Sequence, residues 1–119
     1  GSAMTVSSGV FTFPSTGKWM VIFNGFGNKT PATPYWTIRI YKTVNDGGAW
    51  TKVAESGNAF GDSEAFAHVL AGYLFDVTDV SNYKVKFATE ESSGSGVASI
   101  FFSASQNSSY VQFERWGDT

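Results

Sequence analysis

The sequence predicts an all-β fold, two antiparallel sheets packed as a β-sandwich or jelly roll, and three observations predict it. Apolar and polar residues alternate with a period of two along most of the chain, and no window carries a sustained helical stripe. Turn signals recur about every ten residues, which gives seven or eight strands. An apolar strand closes the chain in the segment Tyr110–Thr119, and its natural partner is a strand near the N-terminus, where the opening segment Val10–Phe23 lies.

The 119 residues suffice for one core and not for two. Gly1-Ser2-Ala3-Met4 reads as an expression scar, which leaves residues 5–119 as a single domain, expected to be the C-terminal head of a longer protein. Lys18–Phe26 is the first strong strand. Trp19, Val21 and Phe23 point to one face, Met20, Ile22 and Phe26 to the other. Gly27–Pro34, with two prolines, is a loop. Tyr35–Val44 turns Trp36, Ile38 and Ile40 inward, and Asn45-Asp46-Gly47-Gly48 is a hairpin turn that needs positive φ. Trp50–Glu55 returns, and Gly57 and Gly61 break the stretch Ser56–Ser63. Glu64–Phe75 is a long strand with a bulge expected near Ala71-Gly72. After a turn at Asp76–Asn82, Tyr83, Val85 and Phe87 face inward. Glu90–Gly96 is a polar loop, Val97–Ala104 a further strand, and Gln106–Ser108 turns into the last one, whose Val111 and Phe113 enter the core.

Three segments together carry a resemblance: Phe11-Thr12-Phe13-Pro14-Ser15-Thr16-Gly17-Lys18-Trp19, Val69–Phe87 with its acidic turn, and Tyr110–Thr119, which ends in Gly-Asp-Thr. They resemble the first motif, the strand pair around the acidic turn and the closing strand of one family, the C1q/tumour-necrosis-factor-like domains found in marine phage tail-fibre and other virion structural proteins. The closing strand departs from the animal members, so their ligand sites do not carry over. The resemblance implies a jelly roll assembled as a homotrimer at the tip of a fibre, in a virion or otherwise extracellular.

A formal charge of −2 provides no basic footprint for nucleic acid. Lys84 and Lys86 alternate on a strand and read as a solvated face. No apolar run approaches the roughly 20 residues of a membrane helix, so no membrane insertion is expected. The absence of cysteine excludes disulfides and thiolate metal sites, and no cofactor is expected.

Enzyme chemistry finds little support. Gly61-Asp62-Ser63-Glu64-Ala65 loosely matches a nucleophile elbow but lacks the strand-to-helix context. His68, the only histidine, reads as a packed or interface residue rather than a catalytic base. Asp76, Asp79 and Asn82 could ligate calcium through oxygen, although Asx residues also favour turns by local hydrogen bonding, which is the preferred reading. Asn28-Lys29-Thr30 and Asn107-Ser108-Ser109 satisfy the glycosylation pattern and mark exposed loops.

The surplus of aromatics, 11 Phe, 5 Tyr and 4 Trp, exceeds what one face of each strand can bury. Tyr110, Trp116, Tyr35 and Tyr41 lie opposite their strands' core residues and are the trimer-interface candidates, with sugar stacking as the alternative. The loops offer Asn28, Lys29, Asn45, Asp46, Trp50, Asn58, Glu90 and Glu91 as candidate contacts to a host cell-surface glycan or protein. The function expected is therefore a trimeric receptor-binding head. A monomeric carbohydrate-binding module of a secreted protein and a purely structural trimerisation cap are the alternatives.

Overall fold

A computed structural model describes residues 2–29, 35–59, 66–91, 98–100 and 109–119. Among these residues there are nine strands and no helix. They are β1 (Thr5–Ser7), β2 (Val10–Thr12), β3 (Gly17–Lys29), β4 (Tyr35–Thr43), β5 (Thr51–Ala59), β6 (Phe66–Val77), β7 (Lys84–Glu91), β8 (Ala98–Ile100) and β9 (Tyr110–Gly117). Two antiparallel sheets form a β-sandwich. The first has the order β1-β2-β7-β4-β5. In the second, β6 lies along one edge of β3, while β9 and β8 follow one another along the other edge.

The pairings nest. β4 pairs with β5, β3 with β6 and β2 with β7, all antiparallel, so the chain behaves as one long hairpin folded over into two layers. The closing strand β9 lies beside β3, near the start of the chain, from Lys18↔Gly117 to Asn24↔Tyr110.

Alternation explains the core. Trp19, Val21 and Phe23 of β3 and Trp36, Ile38 and Ile40 of β4 are buried, and Val85 joins them from β7. Phe13, just before β3, packs its ring 5.3 Å from Phe75 and 5.7 Å from Trp19. The Trp19 indole N–H donates to the Ser15 carbonyl at 3.0 Å, so the aromatic is buried with its polar end satisfied. Val111 and Phe113 of β9 pack against this cluster, as does Phe87. The turn after β4 has the positive φ its sequence demands, at Asp46 (56°) and Gly47 (87°).

Several expected boundaries move. β6 keeps an unbroken register with β3 through Ala71 and Gly72, so there is no bulge there. Val69, Ala71, Phe75 and Val77 are all buried in strict alternation, and small Ala71 holds an inward place that its size conceals. The register shifts lie instead at Ile40/Tyr41 against β5 and at Lys18/Trp19 against β9. β3 continues through Lys29, so Gly27, Asn28 and Lys29 are strand and not loop. β5 runs on through Ser56–Ala59 despite Gly57, because a Cβ at Gly57 would stand 2.9 Å from the Thr37 methyl across the pair. β7 includes Glu90 and Glu91, and β6 includes Asp76 and Val77, which shortens the turn between them. The β1–β2 hairpin, turning at Ser8 and Gly9, was not legible, and Met4 just ahead of it packs against the core. Of the expected strand Val97–Ala104 the described part is β8. The segments 30–34, 60–65, 92–97 and 101–108 lie outside the described residues.

Candidate functional site: two unlike faces and a turn-bearing end

The outer face of the first sheet is charged and internally paired. Arg39 on β4 stands opposite Glu55 on β5 and bonds its carboxylate, and it also reaches Glu90 on β7. Lys52 approaches the same Glu55 oxygen at 3.1 Å. The hydrogen bond from Arg39, followed by that from Lys52, holds the Glu55 carboxyl below the usual carboxylate range, and the bond to Glu55 in turn raises Arg39. Lys86 lies over two rings, 4.3 Å from the Trp50 centroid and 5.7 Å from that of Tyr41. Lys84 approaches Asp46 at 3.4 Å and donates to the Thr12 hydroxyl at 3.3 Å. The two lysines are therefore engaged side chains and not the solvated face their spacing suggested.

The outer face of the second sheet is apolar at its centre. Outward positions follow from the register: Met20 stands beside Leu74, Ile22 beside Gly72, and Asn24 beside Leu70. Leu70 is 53% exposed and Leu74 41%. Polar groups ring this patch, with Lys18, Asp76 and Glu114 towards one end and Asn24, His68 and Gln112 around the rest. The His68 imidazole Nε2 contacts the Asn24 side-chain oxygen across the strands. His68 is exposed at this rim, not packed.

The four aromatic interface candidates are thus divided. Tyr110, beside Asn24, belongs to the apolar face. Trp116, 58% exposed, is the extra residue at the β9 register shift, since Trp19 pairs with Arg115 and Lys18 with Gly117. Tyr41 lies on the charged face under Lys86. Tyr35 pairs with Ala59 on β4's far end, and its side chain lies outside the described residues.

The loop candidates are divided as well. Asn28 and Lys29 of β3, Asn58 of β5 and Glu90 and Glu91 of β7 sit at strand ends that converge at one end of the sandwich. The Asn58 amide donates to the His68 carbonyl at 3.0 Å there and ties β5 to β6. Asn45, Asp46 and Trp50 occupy the opposite end. Buried Thr43 organises that end by accepting the Gly47 amide at 2.9 Å and donating to the Asn45 side chain at 2.8 Å. The Asp46 amide donates to the Asn82 carbonyl at 3.0 Å, joining the β4–β5 and β6–β7 turns.

Asp79 is a turn residue. Its carboxylate accepts the Ser81 amide and the Asn82 side-chain amide, each at 2.8 Å, whereas Asp76 sits on β6 opposite Lys18. Among the described residues no three acidic or histidine side chains gather as a metal site. Comparison with known proteins finds no matching family model and no significantly similar curated protein.

Proposed function

We propose that this chain is a jelly-roll head domain that assembles as a homotrimer and presents its strand ends and turns to a cell-surface receptor, as on a phage tail fibre or similar virion appendage. The nested pairs β4–β5, β3–β6 and β2–β7 support the jelly-roll reading, since that fold is a long hairpin wrapped into two sheets. The contrast between the two outer faces carries the assembly. A sheet of a monomeric sandwich turns polar residues to water, as the Arg39 face does. The Met20, Ile22, Leu70 and Leu74 face instead has an apolar centre and a polar rim, the layout of an interface between protein chains.

In this reading Tyr110 contributes to assembly, whereas Tyr41 serves the charged face through Lys86. Three copies would raise the avidity of individually weak receptor sites. The virion setting rests on the resemblance of the opening, middle and closing segments alone. The test is binding of the labelled domain to candidate host cells, compared with Leu70→Glu. The proposal expects strong binding by the parent protein and a large loss in the variant, through lost avidity. Equal binding by a folded Leu70→Glu protein would contradict it.

A further inference from the structure

Beside the β4–β5 turn, at the end of the sandwich, lies a half-open cleft of about 400 Å³, within the size range of small-ligand sites. Lys42 continues the inward row Trp36, Ile38, Ile40 of β4, so strand alternation directs a cation toward the layer between the sheets. Its ammonium stands 3.4 Å from the Tyr73 hydroxyl of β6 and 5.4 Å from that ring's centroid. Among the described residues, carboxylates pair with Arg39, Lys52, Lys84 and Arg115, and none lies within ion-pair distance of Lys42. Thr51 stands directly across the strand pair from Lys42 and lines the same cleft. Val44, Ala49 and Val53 supply an apolar wall.

A half-buried cation without a carboxylate, a phenol beside it, one hydroxyl and an aliphatic wall make a site for a small carboxylate with a body that is partly C–H and partly hydroxyl. We infer that this cleft binds an acidic monosaccharide unit of a glycan, with the carboxylate at Lys42 and Tyr73 and a C–H face of the sugar against Val44 and Val53. This deepens the receptor half of the proposed function and rests on it. The plainer role of Lys42, in which its stem only fills the end of the core, requires no ligand selectivity.

The test is a titration of the isotope-labelled domain with D-glucuronate, D-glucose and acetate, followed by NMR. Glucuronate should shift the Lys42, Thr51 and Tyr73 resonances saturably in the millimolar range, with glucose and acetate much weaker. Lys42→Met, which keeps the length of the stem, should weaken glucuronate by about tenfold or more, the scale of a lost charge-assisted bond. Tyr73→Phe should weaken it less and retain the fold, which provides a second reading if Lys42→Met fails to fold. Glucose or acetate matching glucuronate, no saturable shift, or unaltered binding in both variants would overturn the site. A trimer that ignores glucuronate overturns this inference and leaves the assembly standing. A monomer that binds it overturns the assembly and leaves the site.

Discussion

The Ser109 hydroxyl accepts the Phe26 amide at 2.9 Å and donates to the Phe26 carbonyl at 3.1 Å. A single side chain therefore occupies the place of a neighbouring strand. Along this edge of β3 the ladder with β9 ends at Asn24↔Tyr110 and the ladder with β8 begins at Gly27↔Ile100. Phe26 falls in the gap, and Ser109, 6% exposed, satisfies both of its backbone groups.

Ser109→Ala should cost about 1–3 kcal/mol, because it leaves a partly buried N–H and C=O without that partner. Urea unfolding measures the difference, and Phe26 amide exchange should accelerate with it. A change below the error of the fit would show that water replaces the hydroxyl.

Gly17 and Arg115 bind the two ends of the chain. Gly17 has φ of 133°, and a Cβ there would stand 2.5 Å from the Gly117 carbonyl oxygen and 2.7 Å from Arg115 Nε. Arg115 donates to the Thr16 carbonyl at 3.1 Å and pairs with Asp118 at 2.7 Å. Gly17→Ala should destabilise by more than about 1 kcal/mol, through backbone strain and displacement of the closing strand. Thermal melting reports it, and a melting temperature equal to the parent's would contradict the close approach.

Core depth ranks the phenylalanines. Phe75 is 1% exposed, so Phe75→Ala should cost about 3–5 kcal/mol. Phe113 is only half-buried, with ring centroids 5.1 Å from Phe11 and 6.0 Å from Phe87. Phe113→Ala should therefore cost less than Phe75→Ala, because less of the ring is withdrawn from water. Denaturant midpoints in the reverse order would place β9 deeper than the sandwich holds it.

Most of the layering was legible because large side chains alternate with polar ones. Trp19, Val21 and Phe23 announced the inner face of β3, and Trp36, Ile38 and Ile40 that of β4. The failures share a cause: residue size is a poor guide where neighbours decide. Ala71 looked like a slip in register but is an inward residue, and Gly57 looked like a break but makes room for Thr37 across the pair. The faces were harder still. Which of Tyr110 and Tyr41 shares a surface with Leu70 depends on sheet order, which no local pattern encodes. The cleft at Lys42 needed three strands brought together, and only the inward spacing of Lys42 after Ile40 hinted at it.

The charged face has a pH signature. Bonding to Arg39 and then Lys52 depresses the Glu55 carboxyl in the folded state, so its contribution is fully present above the unfolded-state value. That contribution is lost as the pH falls through the folded-state value, in the acid range. Glu55→Gln should remove this part of the acid limb and lower stability near neutrality by the same amount, which is small because exposed pairs contribute little. Denaturant midpoints across an acid series measure it. An acid limb as steep in the variant as in the parent would assign the dependence to other carboxylates.

The central claim is that the Met20, Ile22, Leu70 and Leu74 face is covered by further copies of this chain. Sedimentation equilibrium at micromolar concentration tests it most directly, alongside Leu70→Glu and Leu74→Glu. The account predicts a parent mass three times the 12.8 kDa of one chain, and folded variants that fall to the single-chain mass because a carboxylate cannot be buried there unpaired. A parent protein that sediments as a single chain at that concentration would contradict it.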